Sequence, residues 1–150
     1  HNYKTGSTIQ KNSIYDFYLK NTKLINNWDL VDLTADKIVG VHLIDKDKSI
    51  LYKLAKSDNI WERRIAIIST FHFIRNSKYD DTFEISKLLL KDEHDLIHKA
   101  VGWMLREVGK KNQEEEEKFL KKYYRKMPRT MLRYAIERLE EDKKRFYLGK

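Results

Sequence analysis

The chain has 150 residues, enough for one domain with a real core, and no cysteine, which excludes disulfides and thiolate chemistry. No apolar run approaches a membrane span and no secretory signal opens the sequence, so a soluble, cytoplasmic protein without a membrane partner is expected. The net charge of +8 is uneven: from His98 onward 16 Lys+Arg stand against nine Asp+Glu, a bias that favours an anionic partner.

A single proline and five glycines point to a mostly helical chain. Residues 1–8 read as a frayed start. Ile9 to Asn21 is amphipathic, with Ile14, Phe17 and Tyr18 on a common side. The short stretch INNWDLVDL follows, and Thr34 reads as an N-cap for Ala35 to Ile44, with Asp36 in its first turn. Ser49 to Lys56 makes a brief helix, and Asp58 or Asn59 caps the next. Ile60 to Arg75 is apolar nearly all round after Glu62, Arg63 and Arg64, which places it centrally.

Thr82 to Lys91 is an ordinary amphipathic helix, and Asp92 reads as the cap of the one that follows. In that helix, running to Lys111, Ile97, Val101, Met104 and Val108 form an apolar stripe flanked by Ala100 and Leu105. Lys99, Trp103, Arg106 and Lys110 repeat the same spacing about half a turn away, a cationic face with a tryptophan in its middle. Cations around one flat π surface suit a polyanion carrying flat rings, that is, nucleic acid; the plainer reading is a Trp lying sideways into a neighbouring helix. Gln113 to Lys126 carries Phe119, Leu120 and Tyr123 inward. Pro128 opens a helix to about Leu139, and Glu141 to Leu148 ends at Gly149. No stretch alternates with period two, so no sheet is expected.

A step of 35 residues relates Arg63, His98 and Arg133, and brings Ile65, Ala100 and Ala135, then Ala66, Val101 and Ile136, into coincidence. Stacked helix pairs of this kind build an α-solenoid with a concave face; a compact bundle is the alternative.

Within WDLVD, Trp28 and Asp32 stand at i, i+4, an aromatic and a carboxylate on one side of a helical turn. This suits a developing cation, but spacing alone favours a core tryptophan with a capping or salt-bridging aspartate. His94 and His98 share the i, i+4 spacing, but without a third ligand no metal is expected, and His98 reads better as a phosphate contact. The chain has no Gly-rich phosphate loop, no GxSxG turn and no Cys–His pair, so no cofactor is expected.

Taken together, NNWDLVDL (26–33), WERRIAII (61–68), DEHDLIHKAVGWMLREVGKK (92–111) and MPRTMLRYAIERL (127–139) resemble the AlkD-like DNA alkylation-repair glycosylases, over about Ile9 to Leu148. The resemblance implies an all-α superhelix of HEAT-like helical repeats, residues 1–150 forming a single such domain. Members begin with further helices ahead of the segment matching Ile9, so the chain is expected to correspond to the C-terminal part of the longer fold. The implied activity is hydrolysis of the N-glycosidic bond of cationic alkylated purines, 3-methyladenine and 7-methylguanine, in duplex DNA.

The family's aromatic–acid pair falls on Trp28 and Asp32, its arginine on Arg64 and its second tryptophan on Trp103. Asp32 is expected to stabilise charge and orient water, the tryptophans to form walls, and Arg64 to hold a flanking phosphate. Arg63, His98, Lys99, Arg106, Lys110, Arg129 and Arg133 are further candidate phosphate contacts. An Asp32 locked in an interior salt link, or a Trp103 indole facing away from the basic hollow, would leave only a basic helical scaffold. Two other classes compete: a non-catalytic helical repeat binding damaged or bent DNA, and a protein-interaction solenoid.

Overall fold

The computed structural model describes the backbone of residues 8–22 and 28–149, and the side chains of 11–22, 30–32 and 34–149. The expected frayed start and much of INNWDLVDL lie outside these residues. Helix α1 spans Thr8–Lys20. Helix α2 (Trp28–Ala35) runs on through a π turn (Asp36–Gly40) into the single turn α3 (Val41–Leu43). There follow α4 (Ser49–Ala55), α5 (Ile60–Arg75), α6 (Asp80–Leu89) and α7 (Asp95–Lys111). Helix α8 (Gln113–Tyr123) tightens into a 3₁₀ turn (Tyr124–Lys126), then come α9 (Arg129–Ile136) and α10 (Glu141–Leu148). Among the described residues there is no strand, and no helix is long and apolar enough to cross a membrane.

The helices form two rows. Helices α2, α5, α7 and α9 pack in series, each against the next, while α4, α6, α8 and α10 lie between them on the other side. This is the expected all-α superhelix. Helix α5 is central because its sequence is apolar on every side: Ile65 through Thr70, Phe73 and Ile74 are all buried. The six residues that the 35-residue step brings into coincidence are likewise all buried. The apolar stripe of α7 is sealed along its length, and its Gly102 allows close approach of α9: a Cβ there would meet Tyr134 Cβ at 2.5 Å and the Met131 carbonyl oxygen at 2.6 Å.

Several helix boundaries differ from expectation for local reasons. Thr34 caps nothing: its hydroxyl bonds back to the Leu30 carbonyl within a continuous helix and meets the Tyr18 hydroxyl. Asp92 gives way to His94, whose ring nitrogen accepts the Leu96 N–H at the start of α7. The Asp92 carboxylate turns instead to the His94 N–H and to Arg63. Phe17 is 70% exposed, and Tyr15 takes the inward place, stacked on His42 at 3.7 Å. Asn59 does cap α5, accepting from Trp61 and Glu62. Gly149, at φ 76°, ends α10 in the left-handed conformation that glycine tolerates.

Glu116 is buried over Gly109, where a Cβ would collide with its carboxyl, and its Oε2 has no hydrogen-bond partner among the described residues. Burial, reinforced by neighbouring Glu117 and opposed by Arg106, pushes its pKa up to about 8. Folding therefore keeps a proton that the unfolded chain releases near its ordinary carboxylate pKa, and this contribution to stability is lost as pH rises toward 8. Glu116→Gln is expected to raise the melting temperature at pH 8 and change it little at pH 4.5, read by circular dichroism. Gly102→Ala is expected to destabilise by about 1–3 kcal/mol in urea titration, overpacking outweighing its gain in helix propensity.

Candidate functional site

Two of the four expected site residues meet directly. The Arg64 guanidinium donates from Nε to Asp32 Oδ1 at 2.9 Å and from Nη2 to Oδ2 at 3.0 Å, a two-point fork across 32 residues. Its Nη1 donates to the Leu96 carbonyl in the first turn of α7. The Arg64 side chain is only 6% exposed, whereas Asp32 keeps 18%. Arg64, expected to hold a phosphate, is thus turned inward: the acid on α2 and the carbonyl on α7 claim its donors. Asp32 is salt-linked, yet at the edge of the inner row and not sealed within the core.

Trp103 is half-buried on the outward side of α7, with Phe71 of α5 edge-on against it (centroids 5.5 Å apart, planes at 71°). The contacts Arg64–Leu96 and Phe71–Trp103 show that α5 and α7 run alongside in step, seven residues apart on each. At 1.5 Å per residue, the Asp32 end and the Trp103 end of this wall are about 10 Å apart. Trp28 opens α2 one turn before Asp32, and its side chain lies outside the described residues.

The expected phosphate contacts divide by accessibility. Arg63 is engaged by Asp92 at 2.7 Å and by the Ser57 carbonyl, and the His98 ring bonds the Asp92 carbonyl. Arg129 is exposed but donates to the Leu148 carbonyl at the far end of the row. Lys99, Arg106 and Lys110 share the Trp103 face, paired with Asp95, Glu137 and Glu107. The Lys99 ammonium is raised above the usual lysine range, first by its hydrogen bond to Asp95; Tyr134 adds to this and Arg64 opposes it, so all three lie within electrostatic reach. Arg133 is exposed and has no ion-pair partner among the described residues.

Residues that sequence reasoning passed over complete the wall. Phe71 and Arg75 follow Arg64 at i+7 and i+11, on the same face of α5. The Arg75 guanidinium lies 3.9 Å from the Phe71 ring centre and 2.8 Å from Asp36, one turn after Asp32. A helical wheel drawn from Arg64 would have found both. Sizeable concavities, of about 870 and 520 Å³, lie elsewhere, lined by α4 with the start of α5 and by α6 with α8. Asp32, Trp103 and Arg75 along this wall are each partly exposed. Among the described residues no three His, Asp or Glu side chains converge as a metal site, and His94 is used as a helix cap.

A family model described as DNA alkylation repair enzyme matches residues 2–139. The chain belongs to that family. A solved structure described as "Predicted DNA alkylation repair enzyme from Enterococcus faecalis" is similar with a TM-score of 0.67 at 20% identity, over 93% of this chain and 64% of that one. This member of the DNA alkylation repair family thus spans less than two thirds of that neighbour's length, and at such identity the likeness concerns the fold alone. A search of curated proteins returned no match.

In this family member the Arg64–Asp32 pair, with the bond from Arg64 to the Leu96 carbonyl, ties α2 to α5 and α7. Arg64→Met, which leaves the carboxylate unpaired, is expected to destabilise by about 3 kcal/mol in urea titration. Asp32→Asn combined with Arg64→Met should recover part of that loss, since no orphaned charge remains.

Proposed function

We propose that the protein is a DNA N-glycosylase that releases cationic alkylated purines, such as 3-methyladenine and 7-methylguanine, from duplex DNA. The observation that carries this reading is the Arg64 fork on Asp32. It fixes a carboxylate at the edge of an open wall whose other end, about 10 Å along α5, is the Trp103 ring. An open wall with cations on one side suits a long polyanion better than a small metabolite.

Alkylation at N3 or N7 leaves the purine positively charged, so it departs with the electron pair of the C1′–N bond and becomes neutral. The positive charge passes to the deoxyribose as an oxocarbenium-like state. Asp32 faces that charge as a preorganised counterion, the indole of Trp103 offers its electron-rich face to it, and Trp28 is the second wall that the family resemblance assigns. Water then adds to C1′, oriented by Asp32, and its proton passes to solvent. A cationic leaving group needs no general acid, which agrees with a site built around a single carboxylate.

Arg64 passes from phosphate holder to the positioning residue of Asp32, because three of its N–H groups are already bonded and its side chain is nearly sealed. Phosphates are held by the cations of the Trp103 face, the half-buried Lys99 and Arg106 and the exposed Lys110, and by the exposed Arg133. Family membership supports a role in alkylation repair, and the retained acid–aromatic pair favours catalysis over binding alone. The second reading, a non-catalytic binder of damaged DNA, needs the same cationic face but no acid beside it.

Incubation with methylated duplex separates the two. Release of free 7-methylguanine is expected, and Asp32→Asn should slow it roughly a hundredfold or more with duplex affinity nearly unchanged. Release at the wild-type rate in that variant removes Asp32 from the chemistry, and binding without any release supports the second reading.

A further inference from the structure

If the wall binds a duplex as proposed, a backbone phosphate must be held close to Trp103, and Arg64 has no open edge with which to hold it. We infer that Arg75 seats a DNA backbone phosphate beside Trp103, with Asp36 and Phe71 acting as its positioning residues. This rests on the reading of the wall as a DNA-binding surface, but not on base release.

Three observations converge on Arg75. Its Nη1 is bonded to Asp36 Oδ2 at 2.8 Å, and Asp36 is 3% exposed, so the acid stands behind the guanidinium and cannot swing away. Its Cζ lies 3.9 Å from the Phe71 ring centre, which fixes the plane of the group. Yet the Arg75 side chain is 49% exposed. Of the five N–H donors of a guanidinium, one meets Asp36, and no other hydrogen bond to a described residue is formed. The outer edge is left to the solvent, in a fork that matches a phosphate oxyanion.

Two other cations of the wall, Lys99 and Arg106, pair with exposed acids, Asp95 and Glu137. Lys110 pairs with the mostly buried Glu107 but has no ring beneath it, among the described residues, to fix its direction. Arg75 is anchored on two sides before any ligand arrives, so little side-chain freedom is lost when it binds. The placement is also direct: the ring beneath Arg75 is the ring that touches Trp103. A phosphate seated there lies next to the aromatic end of the wall, with Asp32 at the opposite end.

The test measures affinity for undamaged duplex from about 50 to about 200 mM salt by fluorescence anisotropy, together with kcat and KM on methylated duplex. Arg75→Gln is expected to weaken binding about tenfold at the lowest salt and to reduce the slope of log K against log salt by about 0.9. KM should rise with kcat held. Because Arg75→Gln strands a buried Asp36, the double variant Asp36→Asn/Arg75→Gln is measured beside it and should bind as the single one does. Asp36→Asn alone keeps the guanidinium and should keep the slope, and Lys118→Gln on α8 should match the wild type.

Affinity and slope unchanged in the double variant overturn the inference, as does a wild type that binds no duplex. A fall in kcat with KM unchanged also overturns it, by moving Arg75 into the chemistry. If the wild type binds and Arg75→Gln flattens the slope while no base is released, the inference stands and the glycosylase reading fails. If release persists while the slope is unchanged, the inference fails and the glycosylase reading stands.

Discussion

The guanidinium of Arg64 reaches from α5 to a carboxylate on α2 and to a carbonyl on α7, so three helices of the inner row converge on one planar group. Arginine can do this because its donors are fixed in a plane and its charge is never lost to burial. A lysine in the same place would satisfy one direction at a time. The neighbouring Arg63 reaches Asp92 in the turn before α7 and the Ser57 carbonyl before α5. Two consecutive side chains on α5 thereby tie its first turns to α2, to the start of α7 and to the turn that precedes α5. With the near end of α5 held in register against α7, the contact between Phe71 and Trp103 follows two turns further on. The wall owes its geometry to this anchoring more than to any property of the tryptophan.

Much of the architecture was readable from periodicity. The buried stripe from Ile97 to Val108, the all-round apolar character of Ile60 to Arg75, and the Asn59 cap are local patterns, and each appears in the structure as expected. The exposed side of α7 was also legible, because a cationic stripe half a turn from an apolar one has only one place to go. The boundary errors share a cause. Threonine and aspartate near an apolar run look like caps, whether their oxygens reach the free N–H groups of the first turn or, as at Thr34, go back to a carbonyl or, as at Asp92, stop at the N–H of the capping residue and reach across to an arginine.

What the sequence withheld were the long-range pairings. Nothing local distinguishes Arg64, which ends up nearly sealed, from Arg63 beside it or Arg75 eleven residues later, half open to solvent. Their fates are decided by acids 32 and 39 residues away, and only helix-on-helix packing brings these within reach. The family resemblance identified Asp32 and Arg64 as members of one site. It did not say that one of them would serve the other.

The π turn at Asp36–Gly40 bears on how this chain should be compared with its relatives. Its closing N–H, from Val41, reaches back to the Asp36 carbonyl, five residues earlier, so the backbone holds one residue more than an ordinary turn would. Gly40 fits there because α5 passes so close that a Cβ would strike the Ser69 carbonyl. A homologue with one residue fewer at this point could close a plain helical turn and leave the flanking faces where they are. In an alignment, a single-position gap just after the second acid would then mark preserved geometry, and should not be counted as divergence.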